Sequence, residues 1–188
     1  MSVMKEFFVI TGGPGSGKTT MINALEQAGF ARTVEVGRGV IQDQMAIGGP
    51  ALPWRDPAAF SELMLGWEMR SYRMAEQQTG PVFFDCGVPD VIAYLRLVRL
   101  PVPAHVENAA EVFRYRRRVF VASPWREIFT QGAERRQQFA EAERTCEALT
   151  ETYEKLGYEL VTIPRAPVVE RVKFVVGVAL AAHQQATL

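Results

Sequence analysis

The 188-residue sequence contains only two cysteines, Cys86 and Cys146, and only two histidines, His105 and His183. Two thiols give no disulfide framework, and the four residues show no metal-ligand spacing, which argues against a structural zinc site. Net charge is lacking too: 21 lysines and arginines balance 21 aspartates and glutamates. Bulk electrostatics therefore draws the chain neither to nucleic acid nor to an anionic membrane. No apolar run reaches the roughly 18 residues that span a bilayer. The first residues carry Lys5 and Glu6 and lack the apolar core and cleavage site of a secretory signal. Repeats and low-complexity tracts are also missing. These absences predict a cytoplasmic protein without nucleic-acid or membrane partners.

What is present is globular in composition, 48% apolar and 22% charged, and the length predicts a single domain over 1–188. Short apolar runs alternate with helical periodicity. Residues 7–11 read as a buried strand that stops at glycines. Residues 18–28 carry Met21, Ile22 and Leu25 at helical spacing, with Gly29 as the stop. A second strand is expected at 33–36 and a helix at about 38–47. After a loop at 48–55, Asp56-Pro57 opens a helix with a carboxylate cap and a first-turn proline. Its expected apolar stripe is Phe60, Leu63, Met64, Trp67 and Met74. Residues 82–85 form a third strand ending in an acid, Pro89 opens the next helix, and another helix near 105–113 precedes a strand at 119–122. The clearest helix, about 134–156, sets Phe139, Ala142, Cys146, Leu149, Tyr153 and Leu156 in steps of three and four. A strand at 158–163 and a helix at 167–182 follow.

This alternation predicts the α/β class: a five-stranded, mostly parallel sheet with helices on both faces, a three-layer α/β/α sandwich. In such folds ligands bind at the carboxyl ends of the strands. Glu35, Asp85, Ser123 and a glycine-rich loop all fall on that edge.

The loop Gly12-Gly13-Pro14-Gly15-Ser16-Gly17-Lys18-Thr19 meets the pattern Gly-x-x-x-x-Gly-Lys-Thr. At average composition this arises by chance on the order of once in a hundred such chains or less, so the signal is specific. It also follows a strand and opens a helix, as the motif requires. Glycines let successive N–H groups curl toward an anion, and the helix start adds its positive dipole end. Lys18 is expected to reach the β- and γ-phosphates and the Thr19 hydroxyl to ligate Mg2+. The cofactors predicted are ATP and Mg2+.

A phosphate loop does not by itself name a reaction. A guanine-reading Asn-Lys-x-Asp motif is absent, which disfavours a GTPase. An assembling motor would end its acidic strand in Asp-Glu and add a lid domain; here Cys86 follows Asp85. Asp85 stands where a carboxylate can act as general base or hold magnesium, the alternative being a helix-capping or ion-paired aspartate. Asp90 either contacts substrate or complements its helix dipole. Glu35 and Arg38, just past the second strand, either face an acceptor or pair with each other. Trp54 either closes over an acceptor or packs on the core. The run Tyr115-Arg116-Arg117-Arg118 reads as the solvated entry to a strand.

Across GGPGSGKTT (12–20), EVGRGVI (35–41), ALPWRD (51–56), FFDCGVPD (83–90), SPWREIF (123–129), ERRQQFAEAE (134–143) and YEKLGYELVTIP (153–164), the chain resembles the small P-loop kinases of nucleosides, nucleotides and metabolites. More closely it resembles a family of small bacterial proteins labelled predicted ATPases or AAA-domain proteins, akin to nicotinamide riboside kinase domains. The resemblance implies a P-loop NTPase fold with a helical lid at about 124–140. It implies ATP contacts from Gly13, Pro14, Gly15, Ser16, Gly17, Lys18, Thr19 and Thr20, with Arg126 and Arg165 flanking the nucleotide. It implies an acceptor site near Glu35, Arg38, Trp54 and Asp90. Arg135 and Arg136 on the lid, with Lys18 and Asp85, would be catalytic, since guanidinium forks suit a transferring phosphoryl group. One departure is Cys86-Gly87 after the acid, where Arg-Gly is expected. The predicted function is a magnesium-dependent kinase for a small-molecule acceptor, monomeric or homodimeric. The alternatives are a nucleotide-dependent regulatory ATPase or switch, and a binding module without catalysis.

Overall fold

A computed structural model describes the backbone of residues 5–128 and 139–185. Five strands, β1 (Phe7–Thr11), β2 (Ala31–Arg32), β3 (Val82–Asp85), β4 (Arg118–Val121) and β5 (Glu159–Thr162), form one sheet in the order β2-β3-β1-β4-β5. Every pairing is parallel. The helices among the described residues are α1 (Lys18–Gln27), α2 (Val36–Ile47), α3 (Pro57–Ala75), α4 (Val88–Leu97), α5 (Ala104–Val112), α6 (Phe139–Lys155) and α7 (Val168–Gln185).

Side-chain alternation along the strands divides the core in two. Phe7, Val9, Val82, Phe84 and Val119 face one side, packed by apolar residues of α2 to α6. Phe8, Ile10, Phe83 and Phe120 face the other, against Met21, Ile22 and Leu25 of α1 and Val175 and Ala179 of α7. Period-two alternation on strands covered on both faces produces this division. Burying each such side chain is worth about 1.5–3 kcal/mol. The result is the three-layer sandwich expected from the sequence.

Two local expectations are corrected. The second strand is Ala31–Arg32, not 33–36. Thr33 still donates its N–H to the Phe83 carbonyl at 2.9 Å, but Glu35 is already the cap of α2 and Val36 its first residue. The β-branched letters that suggested a strand divide: Val34 is exposed and Val36 is buried as a helix residue. On α3 the cap reads as expected, Asp56 Oδ1 accepting from the Ala59 N–H at 2.9 Å. Its buried face, however, is Phe60, Ser61, Met64, Leu65, Glu68, Tyr72 and Ala75, while Leu63, Trp67 and Met74 are exposed. Choosing apolar letters rotated the predicted stripe, because the face that packs includes a glutamate. No helix among the described residues is long and apolar enough to cross a membrane.

Candidate active site

Residues 12–17 turn at the carboxyl edge of the sheet, between β1 and α1. Gly12 has φ 142°, and a Cβ there would lie 2.1 Å from the Ala122 carbonyl oxygen. Only glycine lets the loop lie this close to the end of β4. On the other side a Cβ at Gly13 would lie 2.5 Å from the Ala142 carbonyl of α6. Inside the turn the Ser16 hydroxyl donates to the Gly13 carbonyl at 2.8 Å. Lys18 is buried, and its Nζ donates to the carbonyls of Gly12 at 2.7 Å and Gly13 at 3.4 Å, which holds the ammonium against the loop. Thr19 and Thr20 are exposed in the first turn of α1. No side chain caps that helix start, so its first N–H groups suit an anion.

β3 lies beside β1 with Ile10 opposite Asp85, so the acid stands one strand from the loop. Asp85 is 2% exposed, and its N–H donates to Thr33 Oγ1 at 3.0 Å. The chain then turns through Cys86, a non-glycine residue at φ 72°, a left-handed conformation that concentrates at functional turns. Burial pushes the Cys86 thiol well up, Asp90, Asp85 and Glu68 add to this, and Lys18 opposes it. Those groups therefore share one neighbourhood, and the thiol stays protonated at neutral pH. The loop and its helix start fit a polyphosphate, since no side chain caps the first N–H groups of α1. Magnesium takes one or two protein oxygens beside phosphates and waters; Thr19 and Asp85 are the oxygens that fit that duty.

The remaining expected residues separate. Asp90 is buried and bonded from three elements: Thr11 Oγ1 donates to Oδ1 at 2.6 Å, the Gly87 N–H donates to Oδ2 at 2.9 Å, and the Tyr153 hydroxyl also donates to Oδ2. It knots β1, the start of α4 and α6 together, so its geometry is that of a structural joint and not of a substrate contact. Glu35 occupies the N-cap position of α2 without a side-chain capping bond, and Arg38 is exposed one turn along the helix. Trp54 is 62% exposed, free of the core packing considered for it. Arg126 is exposed with its guanidinium 4.1 Å from the Phe139 ring centre. Arg165 donates to the Pro124 carbonyl at 3.0 Å, tying the β5–α7 loop to the segment after β4. Arg135 and Arg136, and most of the expected lid, lie outside the described residues.

Two buried charged residues, the first of them against the phosphate loop, escape a reading by motif. Arg171 of α7 is buried and donates from Nη2 to the Ser16 carbonyl at 3.1 Å. A Cβ at Gly17 would lie 2.7 Å from Nη1 of the same guanidinium. Glu68 of α3 is 1% exposed. Each interrupts an apolar series at helical spacing, Arg171 before Val175 and Ala179, Glu68 between Met64 and Tyr72. That interruption was the signal available in the sequence.

Several solved structures share this fold. NadR protein in complex with NR is similar with a TM-score of 0.64 and 17% identity, over 87% of this chain and 46% of that one. The chain thus spans under half of the NadR protein. Deoxyadenosine kinase from M. mycoides, with products dCMP and dCDP bound, gives a TM-score of 0.59 at 13% identity, covering 93% of this chain and 99% of that one. Thymidylate kinase from Ehrlichia chaffeensis gives 0.58 at 13% identity, covering 93% and 97%. At these identities the likeness establishes the fold. No curated protein matches the chain in sequence. The family model described as an AAA domain matches residues 7–171, the whole sheet with its phosphate loop, and the chain belongs to that family.

Proposed function

We propose that this protein is a P-loop kinase that transfers a phosphoryl group from Mg-ATP to the hydroxyl of a small metabolite or nucleoside-like acceptor. The observation that carries the reading is the placement of buried Asp85 beside the phosphate loop, with Lys18 held against that loop. The structural neighbours lend support, since NadR protein was seen with NR and the other two are kinases of deoxyadenosine and thymidylate.

ATP supplies the phosphoryl group and its leaving ADP. Gly13 and Gly15 to Thr20 bind the phosphates through backbone N–H groups, Pro14 having none to donate, and Lys18 neutralises charge that builds on the transferring group. Thr19 and Asp85 would hold magnesium, which would neutralise charge on the phosphates, and Asp85 would orient the acceptor hydroxyl or accept its proton. Arg126 and Arg165 flank the nucleotide, and Arg135 and Arg136, outside the described residues, are assigned to the charge of the transferring phosphoryl group. Glu35, Arg38 and Trp54 border the acceptor. We place the protein in the cytoplasm, acting as a single domain in a monomer or homodimer.

ADP release measured with a panel of nucleosides, nucleotides and sugars, beside a control without acceptor, tests the reading. Acceptor-stimulated release is expected. Equal release without acceptor would favour a regulatory ATPase, and none at all a binding module. Lys18→Ala should lower turnover about a hundredfold or more, the scale of one lost transition-state donor; near wild-type turnover would count against the mechanism.

A further inference from the structure

A groove of about 750 Å³ runs along the free side of β2. β2 ends the sheet, pairing with β3, and no strand lies beyond it among the described residues. The walls of the groove come from both helical layers. Phe30 packs with the layer of α1 and Ala75 with that of α3, so the space wraps the open edge between them. Val82, the first residue of β3, and Gln78, just past α3, mark its end at the amino side of the sheet. Neither the loop 12–20 nor Asp85 lines it. It is separate from the candidate active site.

One stripe of α3 overhangs this edge. Trp67, Arg70, Ser71 and Met74 stand at helical spacing i, i+3, i+4 and i+7, and all four line the groove. Trp67 and Met74 are exposed, as is Val34, which lines the groove from the segment after β2. Large apolar side chains exposed together around a concave space mark a binding surface. The indole is also held in place. A Cβ at Gly39 would lie 2.9 Å from Trp67 Cζ3, so the ring rests on the bare backbone of α2 and offers a fixed aromatic wall. The volume falls in the range of small-ligand pockets, about 300–1,000 Å³. An added peptide strand fits worse, because β2 has two residues and so short an edge presents little backbone to pair.

Charge narrows the occupant further. Of the lining residues, Glu26, Arg32 and Arg70 are charged. Arg32 donates from Nη2 to Glu26 Oε2 at 3.0 Å, so that pair is neutral as a unit. Arg70 makes no hydrogen bond or ion pair among the described residues. One guanidinium is therefore left for a ligand, and its planar fork matches a single carboxylate through two parallel hydrogen bonds. A dianion would want a second unpaired cation, which the lining lacks. Side chains three apart on a helix are neighbours, so a ring on Trp67 and an anion on Arg70 can belong to one small molecule.

We propose that this groove binds a small aromatic carboxylic acid, its ring against Trp67 and its carboxylate on Arg70. The site stands independently of the phosphotransfer reading, since groove and phosphate loop share no residue.

Calorimetric titration with three naphthalene ligands of similar shape and different charge tests it: 1-naphthaleneacetate, 1-naphthaleneacetamide and 1-naphthylmethylamine, each with and without saturating Mg-ADP. The acid should bind with a Kd below about 1 mM, about tenfold or more tighter than the amide. The amine should bind weakest, and Mg-ADP should not displace the acid. Arg70→Gln should reduce the acid to the affinity of the amide and leave the amide unchanged, whereas Trp67→Ala should weaken both. Arg70 is exposed, so its substitution spares the core, and an unchanged melting temperature verifies this. Equal affinity for acid and amide, a preference that survives Arg70→Gln, displacement by Mg-ADP, or no heat from any of the three overturns the proposal. So does a dimer in sedimentation that Trp67→Ala dissociates, because a second copy of the chain would then fill the groove.

Discussion

Glu68 carries a measurable consequence for stability. Its carboxyl is held well above the ordinary value of 4.5, chiefly by burial and then by Asp90 and Asp85. The folded protein thus keeps a proton that the unfolded chain releases as pH rises past that value. Stability present below this point is lost progressively as pH climbs toward the raised folded pKa. Glu68→Gln keeps the shape and removes the ionisation. Its melting temperature should gain on the wild type steadily as pH rises above the ordinary value of 4.5. Parallel curves across that range would show that the carboxyl is not buried as described. Asp90 is also raised from 3.8, by burial against the opposing bonds from Thr11, Tyr153 and Gly87. It contributes a slope of the same sign to both proteins, so the difference between them reports Glu68.

Between elements, the site depends on joints that a motif does not contain. Asp90 links the end of β1, the first turn of α4 and the middle of α6 through Thr11, Gly87 and Tyr153. Asp90→Ala leaves those three donors unmatched. It should destabilise the fold by about 2–5 kcal/mol in urea titration, given about 1–3 kcal/mol for each stranded buried group. A loss under about 1 kcal/mol, typical of surface substitutions, would contradict the joint.

Arg171 makes the corresponding link from α7 to the phosphate loop. Bonding the Ser16 carbonyl at 3.1 Å, it polarises the Ser16–Gly17 peptide, whose N–H lies in the loop proposed to bind phosphate. Burial lowers the guanidinium's pKa from 12.5, yet an arginine remains charged at neutral pH. Arg171→Met should therefore raise the KM for ATP several-fold, on the scale of one charge-assisted hydrogen bond. The acceptor KM should not move; a change confined to the acceptor would refute this role.

For the whole molecule, ligand binding must appear as stability. Anything that binds the folded chain alone raises stability by about 2.7 kcal/mol at a hundredfold excess over its Kd. For a chain of this size that corresponds to a rise in Tm of about 5–10 °C. Mg-ATP should produce such a shift in the wild type and a much smaller one in Lys18→Ala. An identical shift in the two proteins would place the nucleotide away from the loop.

The α/β alternation, the five strands and the phosphate loop were legible in the linear chain, because each depends on neighbours a few residues apart. Period-two runs, period-3.6 runs, the Asp56-Pro57 cap and the glycine spacing before Lys18-Thr19 all carry their physics locally. Asp85 was legible too, as an acid closing a buried run. The roles of Asp90, Arg171 and Glu68 were not. Their settings depend on other elements: Tyr153 for Asp90, Ser16 for Arg171, and for Glu68 the core that buries it. The same applies to α3, where apolar letters alone named the wrong face, and to the second strand, where pairing with β3 ended earlier than β-branched residues suggested. Sequence alone determined that a polyphosphate-binding turn would sit at the edge of a parallel sheet. Only the tertiary structure decided which buried charges surround that turn, because the burial and partners of a charge depend on residues that folding brings together.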